Sequence, residues 1–212
     1  MNSNSHNSPV KEAASRKTSR REQTRATHSR EILDAAERVF SSRGFDLVTM
    51  EEIAREANFS TGALYNFFRN KDELCVNVIR KIADDFLAMF NSEVLSLKNP
   101  LEAITTLIRL RLVHMDKYGP LVRMLMTSKS FGQLSHEKLM SQCDALVADY
   151  LKKLAALFKK AMDAGSVRKM DPLYAALALE GVLHAFEAYW GKIDPSSSPA
   201  LDRKVDTVMK NY

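Results

Sequence analysis

The side chains whose types and spacing could do chemistry lie in one stretch, Thr49 to Lys71, reading TMEEIAREANFSTGALYNFFRNK. Its polar groups are short hydroxyls (Thr49, Ser60, Thr61), a phenol (Tyr65), an amide (Asn66) and an ammonium (Lys71), set around the small pair Gly62-Ala63. Such groups make no bonds by themselves. They suit recognition of phosphate oxygens and base edges, because small residues at the start of a short helix let its backbone N–H groups and hydroxyls approach a major groove closely. The local signals place them accordingly. Thr49, three residues before Glu52, predicts a capping box, and Ile53, Ala54 and Ala57 give about two turns of apolar face. Asn58 tolerates the left-handed backbone of a tight turn, Ser60 or Thr61 caps the next helix, and Leu64, Phe67 and Phe68 form its inner face. Short helix, tight turn and short helix with a small, polar outer face is a helix-turn-helix pattern.

An ordinary helical hairpin in a core would satisfy the apolar periodicity alone. Two features favour duplex DNA instead. Tyr65 points outward where a core would take it inward, and Lys71 stands beside a helix N-terminus, an unfavourable place for a cation unless an anion comes between. Catalytic chemistry finds no comparable support. The histidines (His6, His28, His114, His136, His184) do not pair at metal-ligand spacing, and His184 with Glu187 lacks further ligands. There is no Gly-rich phosphate loop, nucleophile elbow or carboxylate pair, so the expectation is no enzyme, no catalytic residue, no metal and no cofactor.

Over residues 29–75, which include ILDAAERVFSSRGFDLVTMEEIAREANFSTGALYNFFRNKDEL, the chain resembles the DNA-binding headpiece of TetR-family transcriptional repressors. That resemblance covers about a quarter of the chain and implies a helical, homodimeric repressor with a divergent C-terminal effector domain. Carried onto matching positions, it implies phosphate contacts by Thr49, Thr61, Tyr65 and Lys71, with Gly62, Ala63 and Asn66 facing base edges and Ser60 beside them. Asn66 departs from the pattern, since many members carry histidine there.

The elements that must position these residues can be read in order. The first helix is expected over about Ser29–Arg43, with Ile32, Leu33, Ala36, Val39 and Phe40 as its stripe and Gly44 as its stop. Helix four follows Asn70, with Glu73 completing a second capping box, and runs to about Val94. Asn99-Pro100 opens a helix ending at Tyr118-Gly119-Pro120, and a short helix through Leu121–Met126 follows. A long helix spans about His136 to Ala164 before Gly165. Asp171-Pro172 starts the next, which reaches Trp190, and Ser198-Pro199 opens the last. The expected fold is all-α with nine helices: a three-helix headpiece, then a six-helix ligand-binding and dimerisation domain. Expected boundaries are 1–27 for a disordered basic arm, 28–75 for the headpiece and 76–212 for the second domain.

Composition sets the outer bounds. The chain has 212 residues, 45% hydrophobic and 27% charged, and its seven glycines and six prolines argue against a loop-rich β fold. No apolar run reaches the roughly 20 residues that span a bilayer, and the polar N-terminus is no secretory signal, so a cytoplasmic protein without a membrane partner is expected. Cys75 and Cys143 read as core or near-core thiols in a reducing compartment. The net charge is +5. Residues 1–30 hold Lys11, Arg16, Lys17, Arg20, Arg21, Arg25 and Arg30 against Glu12 and Glu22, so all the excess lies there. With almost no apolar residue, this leader is expected to be disordered and to help bind phosphates ahead of an acid-rich headpiece (Glu51, Glu52, Glu56).

The second half reads as a chamber. Phe86, Phe90, Met115, Phe186 and Trp190 supply large apolar groups, and Arg111, His114, His184 and Glu187 are the polar anchors a ligand pocket needs. A plain helical core with snorkelling charges is the alternative for these residues. The small residues of 172–190 suit packing on both sides, and the stripe Leu201, Val205, Val208, Met209 suggests a bundle with a second copy across a twofold axis. Together these point to a repressor that binds a palindromic operator in duplex DNA as a homodimer and leaves it when a small-molecule effector binds. The competing reading is a helical sensor or binding protein without DNA affinity, and a third is a small helical enzyme.

Overall fold

The structure, a computed structural model, describes the backbone of residues 9–128, 130–190 and 200–210, and the side chains of most of them. Among the described residues every regular element is helical. They are α1 (Pro9–Arg43), α2 (Met50–Glu56), α3 (Thr61–Tyr65), α4 (Lys71–Met89) with a π turn over Phe90–Val94, α5 (Pro100–Thr127), α6 (Gln133–Asp163), α7 (Pro172–Trp190) and α8 (Leu201–Met209). The chain divides into two compact units, one comprising residues up to Arg43 with Leu47–Val78, the other Gly44–Asp46 with Ile79–Tyr212. The division falls inside α4, three residues beyond the expected boundary.

In the first unit, Ile32, Ala35, Ala36 and Phe40 of α1 are fully buried, as are Ile53, Leu64 and Leu74 from α2, α3 and α4. Ion pairs Arg38–Glu56 and Arg43–Glu52 tie α1 to α2 at the surface. The N-terminal leader departs from expectation. Residues 9–27, expected to be disordered, continue α1 without a break. Their low hydrophobicity argued for disorder, but Lys, Glu, Ala, Arg and Gln are good helix formers and Pro9 suits a first helical position. Extending an existing helix also avoids the nucleation cost that an isolated helix carries.

In the second unit, α5 is wrapped by α6, α7 and α8 around a core that includes Phe90, Ile104, Leu107, Leu154, Phe158, Leu179 and Leu183. Widening the end of α4 to a π turn, in which the Leu95 N–H reaches the Phe90 carbonyl at 3.0 Å, leaves both Phe90 and Val94 buried. Two expectations fail here. Gly119-Pro120 does not end α5, which runs on through Pro120 to Thr127, so the short helix expected at Leu121–Met126 is its last part. The described residues therefore form eight α-helices. A proline removes one helical hydrogen bond and can be carried inside a helix whose flanks are packed; Leu121 and Leu125 beyond it are buried. The stripe of α8 is not left open for a second copy. Val205 is 2% exposed and Val208 0%, both covered by this unit's own core, and Arg109–Asp202 and Lys204–Asp116 fasten α8 to α5.

Gly44–Asp46 belongs to this second unit. The Phe45 ring meets Phe131 edge-to-face at 5.4 Å, and the Asp46 carboxylate accepts from the Ser128 and Ser130 hydroxyls. Gly44 has φ +88°, and a Cβ there would lie 3.0 Å from the Met124 sulfur.

Candidate nucleic-acid interface and polar cluster

The helix-turn-helix is built by its caps. The Thr49 Oγ1 accepts from the Glu52 N–H at 3.3 Å while Glu52 Oε2 accepts from the Thr49 N–H at 3.0 Å, closing the expected capping box. The Thr49 N–H, then the Arg43 guanidinium, hold the Glu52 carboxyl below its ordinary value. Asn58 takes the left-handed conformation at φ 59°, and the Phe59 N–H returns to the Ala54 carbonyl at 2.8 Å, which stops α2 and turns the chain. Ser60, not Thr61, caps α3, its Oγ accepting from Ala63 N–H at 3.1 Å. Leu64 is the buried anchor of α3. Below it, the Glu73 N–H donates to Asn70 Oδ1 and Glu73 Oε2 accepts from the Arg69 N–H, both at 2.8 Å, so the second capping box reaches one residue further back than expected.

This scaffold leaves the candidate residues of α3 on its outer surface. Ser60, Gly62, Tyr65 and Asn66 are exposed, and Thr61 and Ala63 are half-buried. Thr49 is exposed at the start of α2. No Cβ clash constrains Gly62. Lys71 is partly buried and donates to the Val48 carbonyl at 3.0 Å, so its ammonium braces the loop before α2. The sequence named Arg25 only as one of the leader's cations and gave no sign that it and His28 adjoin α3. Arg25 donates to the Asn66 carbonyl at 3.1 Å and lies 5.1 Å over the Phe67 ring. His28 meets Phe59 edge-on at 5.4 Å. Helical period places Arg25 and His28 on one face of an unbroken α1, a relation hidden as long as residues before 29 were expected to lack structure.

In the second unit, five of the nine chamber residues come together. Phe86 and Phe90 stack with centroids 6.4 Å apart, His114 lies 5.0 Å from Phe86, and the Arg111 guanidinium sits 5.2 Å over the Phe86 ring. Met115 is buried in the same core. The centre of this cluster is Glu180, whose carboxylate accepts from Arg111 Nη2 at 2.7 Å and from the Tyr150 hydroxyl at 2.5 Å. Burial first, and then the Glu180 charge, push the Tyr150 phenol far up, so it stays neutral and donates. Arg111 Nε is buried without a hydrogen-bond partner. His184 is exposed, with Nδ1 2.9 Å from the Glu180 carbonyl of its own helix. Phe186 is half-buried against the core. Glu187 and Trp190 lie on the last turn of α7, and their side chains are outside those described, as is that of Cys143. Cys75 is buried, and burial raises its thiol well above the ordinary range.

Among the described residues no group of three or more His, Cys, Asp or Glu could hold a metal ion, and no helix is long and apolar enough to cross a membrane.

Residues 32–78 match the family model "Bacterial regulatory proteins, tetR family". The chain is 31% identical over 74 residues to the HTH-type transcriptional regulator HbdR of Aromatoleum sp. (strain CIB), across 35% of this chain and 32% of that protein. It therefore spans about a third of the length of that relative. Solved structures extend the likeness to the whole fold. FadR from Bacillus subtilis, solved in complex with stearoyl-CoA, aligns with TM-score 0.67 at 17% identity over 85% of this chain and 95% of its own. AibR, solved with isovaleryl coenzyme A and operator DNA, aligns with TM-score 0.62 at 22% identity over 86% and 97%.

Proposed function

We propose, from the match of residues 32–78 to the tetR family of bacterial regulatory proteins, that this chain is a cytoplasmic, homodimeric transcriptional repressor. In this reading it binds a palindromic operator and leaves it when a small-molecule effector binds the helical second unit. The observation that carries the reading is the capped, outward-facing α3, with exposed Gly62, Tyr65 and Asn66 held on the buried Leu64 anchor. Gly62, Ala63 and Asn66 face base edges, and Thr49, Ser60, Thr61, Tyr65 and Lys71 meet phosphates; Lys71 does so while bracing the Val48 carbonyl.

A dimer supplies two copies of α3 for successive major grooves, about 34 Å apart. With α8 folded onto its own unit, the surface that fits a second copy is the outer face of α7. Leu173, Tyr174, Leu177, Ala178, Gly181 and Ala185 are exposed there at i, i+4 spacing. An apolar and small-residue stripe on a helix surface suits an isologous helix-to-helix contact.

The effector site centres on Phe86, Phe90, Arg111, His114 and Met115, with Phe186, His184, Glu187 and Trp190 supplied by α7. Because FadR and AibR were solved with acyl-CoA thioesters, that chemical class is the first to test. A ligand that parts α5 from α7 there changes the path of α4, within which the chain passes from one unit to the other. Binding that favours one spacing of the paired headpieces over another shifts the population away from the operator-bound state.

The test is duplex binding by the full chain, with selection of an enriched operator. Lys71→Ala is expected to weaken all sequences alike and lower the salt slope by about one, whereas Ala63→Leu costs operator binding more than non-specific binding. A wild-type chain with no salt-dependent affinity for any duplex overturns the reading in favour of a sensor without DNA affinity.

A further inference from the structure

The headpiece presents a second charged surface that none of the helix-turn-helix residues explains. An open cleft of about 610 Å³ is lined by Arg20, Arg21, Thr24, Arg25 and His28 of α1 and by Phe67 just after α3. These α1 positions recur at i, i+1, i+4, i+5 and i+8, which puts them on one stripe about 140° wide at roughly 100° per residue. Arg20, Arg21 and Arg25 are exposed. Arg25 is already engaged, with the Asn66 carbonyl at 3.1 Å and the Phe67 ring at 5.1 Å. Its bond therefore fixes this stripe of α1 against the end of α3, where a cation also complements the helix dipole. Arg20 and Arg21, one turn further out, have no acidic partner among the described residues. The acids are segregated: Glu22 and Glu73 line a separate cleft that shares Arg25 and Phe67.

Resting on the reading of α3 as the groove-facing helix, we propose that the Arg20–Arg21–Arg25 face of α1 is a further phosphate-binding surface, which holds the sugar–phosphate backbone of the same duplex. Three physical points lead there. Around α2 the cations Arg38 and Arg43 are taken up by Glu56 and Glu52, and Glu51 stands against Arg55, so a polyanion seated on α3 gains from cations supplied elsewhere. Two guanidiniums without an acidic partner among the described residues, carried on an unbroken helix, avoid the backbone ordering cost that a disordered arm incurs on binding. The planar guanidinium fork also matches phosphate oxygens in pairs. A protein carboxylate could pair with the same groups, but the stripe adjoins α3 through Arg25, and the occupant of α3 is the duplex. Contacts of this kind set affinity and register without reading sequence.

The measurement is the salt dependence of binding by the full chain to an enriched operator duplex and to a non-specific duplex, from about 50 to 200 mM salt. Arg20→Gln/Arg21→Gln is expected to lower the slope of log K against log salt by about 1 to 2 for both duplexes, at roughly 0.9 per phosphate lost. Preference for the operator is expected to stay within about twofold, since backbone contacts carry no sequence information. Arg20→Lys/Arg21→Lys keeps the charge and restores most of the slope, and Glu22→Gln on the acidic side leaves the slope undiminished. Circular dichroism of all variants should match the wild type, because the residues are exposed. If the wild type binds duplex and the double Gln variant keeps its full slope, the α1 surface is wrong and the α3 reading stands. If the wild type binds no duplex, both are wrong.

Discussion

Glu180→Gln is the perturbation whose size the structure fixes best. Glu180 and Arg111 are each 14% exposed, joined at 2.7 Å, and roofed by the Phe86 ring 5.2 Å from the guanidinium. Glutamine keeps the volume and an acceptor for the Tyr150 hydroxyl but removes the charge. Arg111 then stays in the core with its cation unopposed and its Nε already without a hydrogen-bond partner. Removing one member of a buried pair costs about 3–5 kcal/mol. The residual exposure favours the lower end, about 3 kcal/mol, a large share of the 5–15 kcal/mol that holds a typical domain together. Equilibrium urea unfolding reads this directly through the fluorescence of Trp190, the single tryptophan, on the same helix as Glu180. The double variant Arg111→Met/Glu180→Leu should recover most of the loss, because replacing a buried pair with apolar groups of similar volume is often neutral or stabilising. A Glu180→Gln protein within about 0.5 kcal/mol of wild type, or a double variant no better than the single one, would refute the account of Glu180 as an obligatory counter-ion.

Three further outcomes are expected. Leu177→Glu, at a position 45% exposed on α7, should leave the subunit folded but convert a dimer to monomers in analytical ultracentrifugation and weaken operator binding with it; an unchanged sedimentation coefficient rules out the α7 interface. Gly44→Ala should destabilise by about 1 kcal/mol or more, since φ +88° strains any other L residue and the new Cβ meets the Met124 sulfur at 3.0 Å; a melting temperature equal to wild type would contradict this. Glu52 has a folded pKa below its ordinary 4.5, so its stabilising effect is present above that value and is lost as pH falls through the lower folded one. The amide protection factors of α2, exchange rates corrected for the intrinsic pH dependence, should accordingly fall below about pH 4.5 in the wild type, and Glu52→Gln should blunt that fall.

What the sequence determined alone is what depends on neighbours within four residues. The Thr49–Glu52 box, the Asn58 turn, a hydroxyl cap at Ser60 or Thr61, the stops at Gly44 and Gly165 and the Asn99-Pro100 start each depend on a residue and its nearby backbone, so their residue types announce them. The helix-turn-helix is made almost wholly of such signals, which is why its residues are legible in the sequence. Tertiary structure decided what depends on distant partners. The charge-rich leader reads as unfolded when scored by burial, yet residues 9–27 extend a helix that the Ile32–Phe40 core has already nucleated. Pro120 reads as a stop, yet the packed turns around it carry the helix through. The α8 stripe reads as waiting for a second copy, yet α5 covers Val205 and Val208 from about a hundred residues away in sequence. Arg111 reads as a free anchor for a ligand, yet Glu180, sixty-nine positions along, already holds its charge. Apolar periodicity says that a face must be covered and a buried cation that it must be paired. Only the packing of α5 against α6, α7 and α8 says by what.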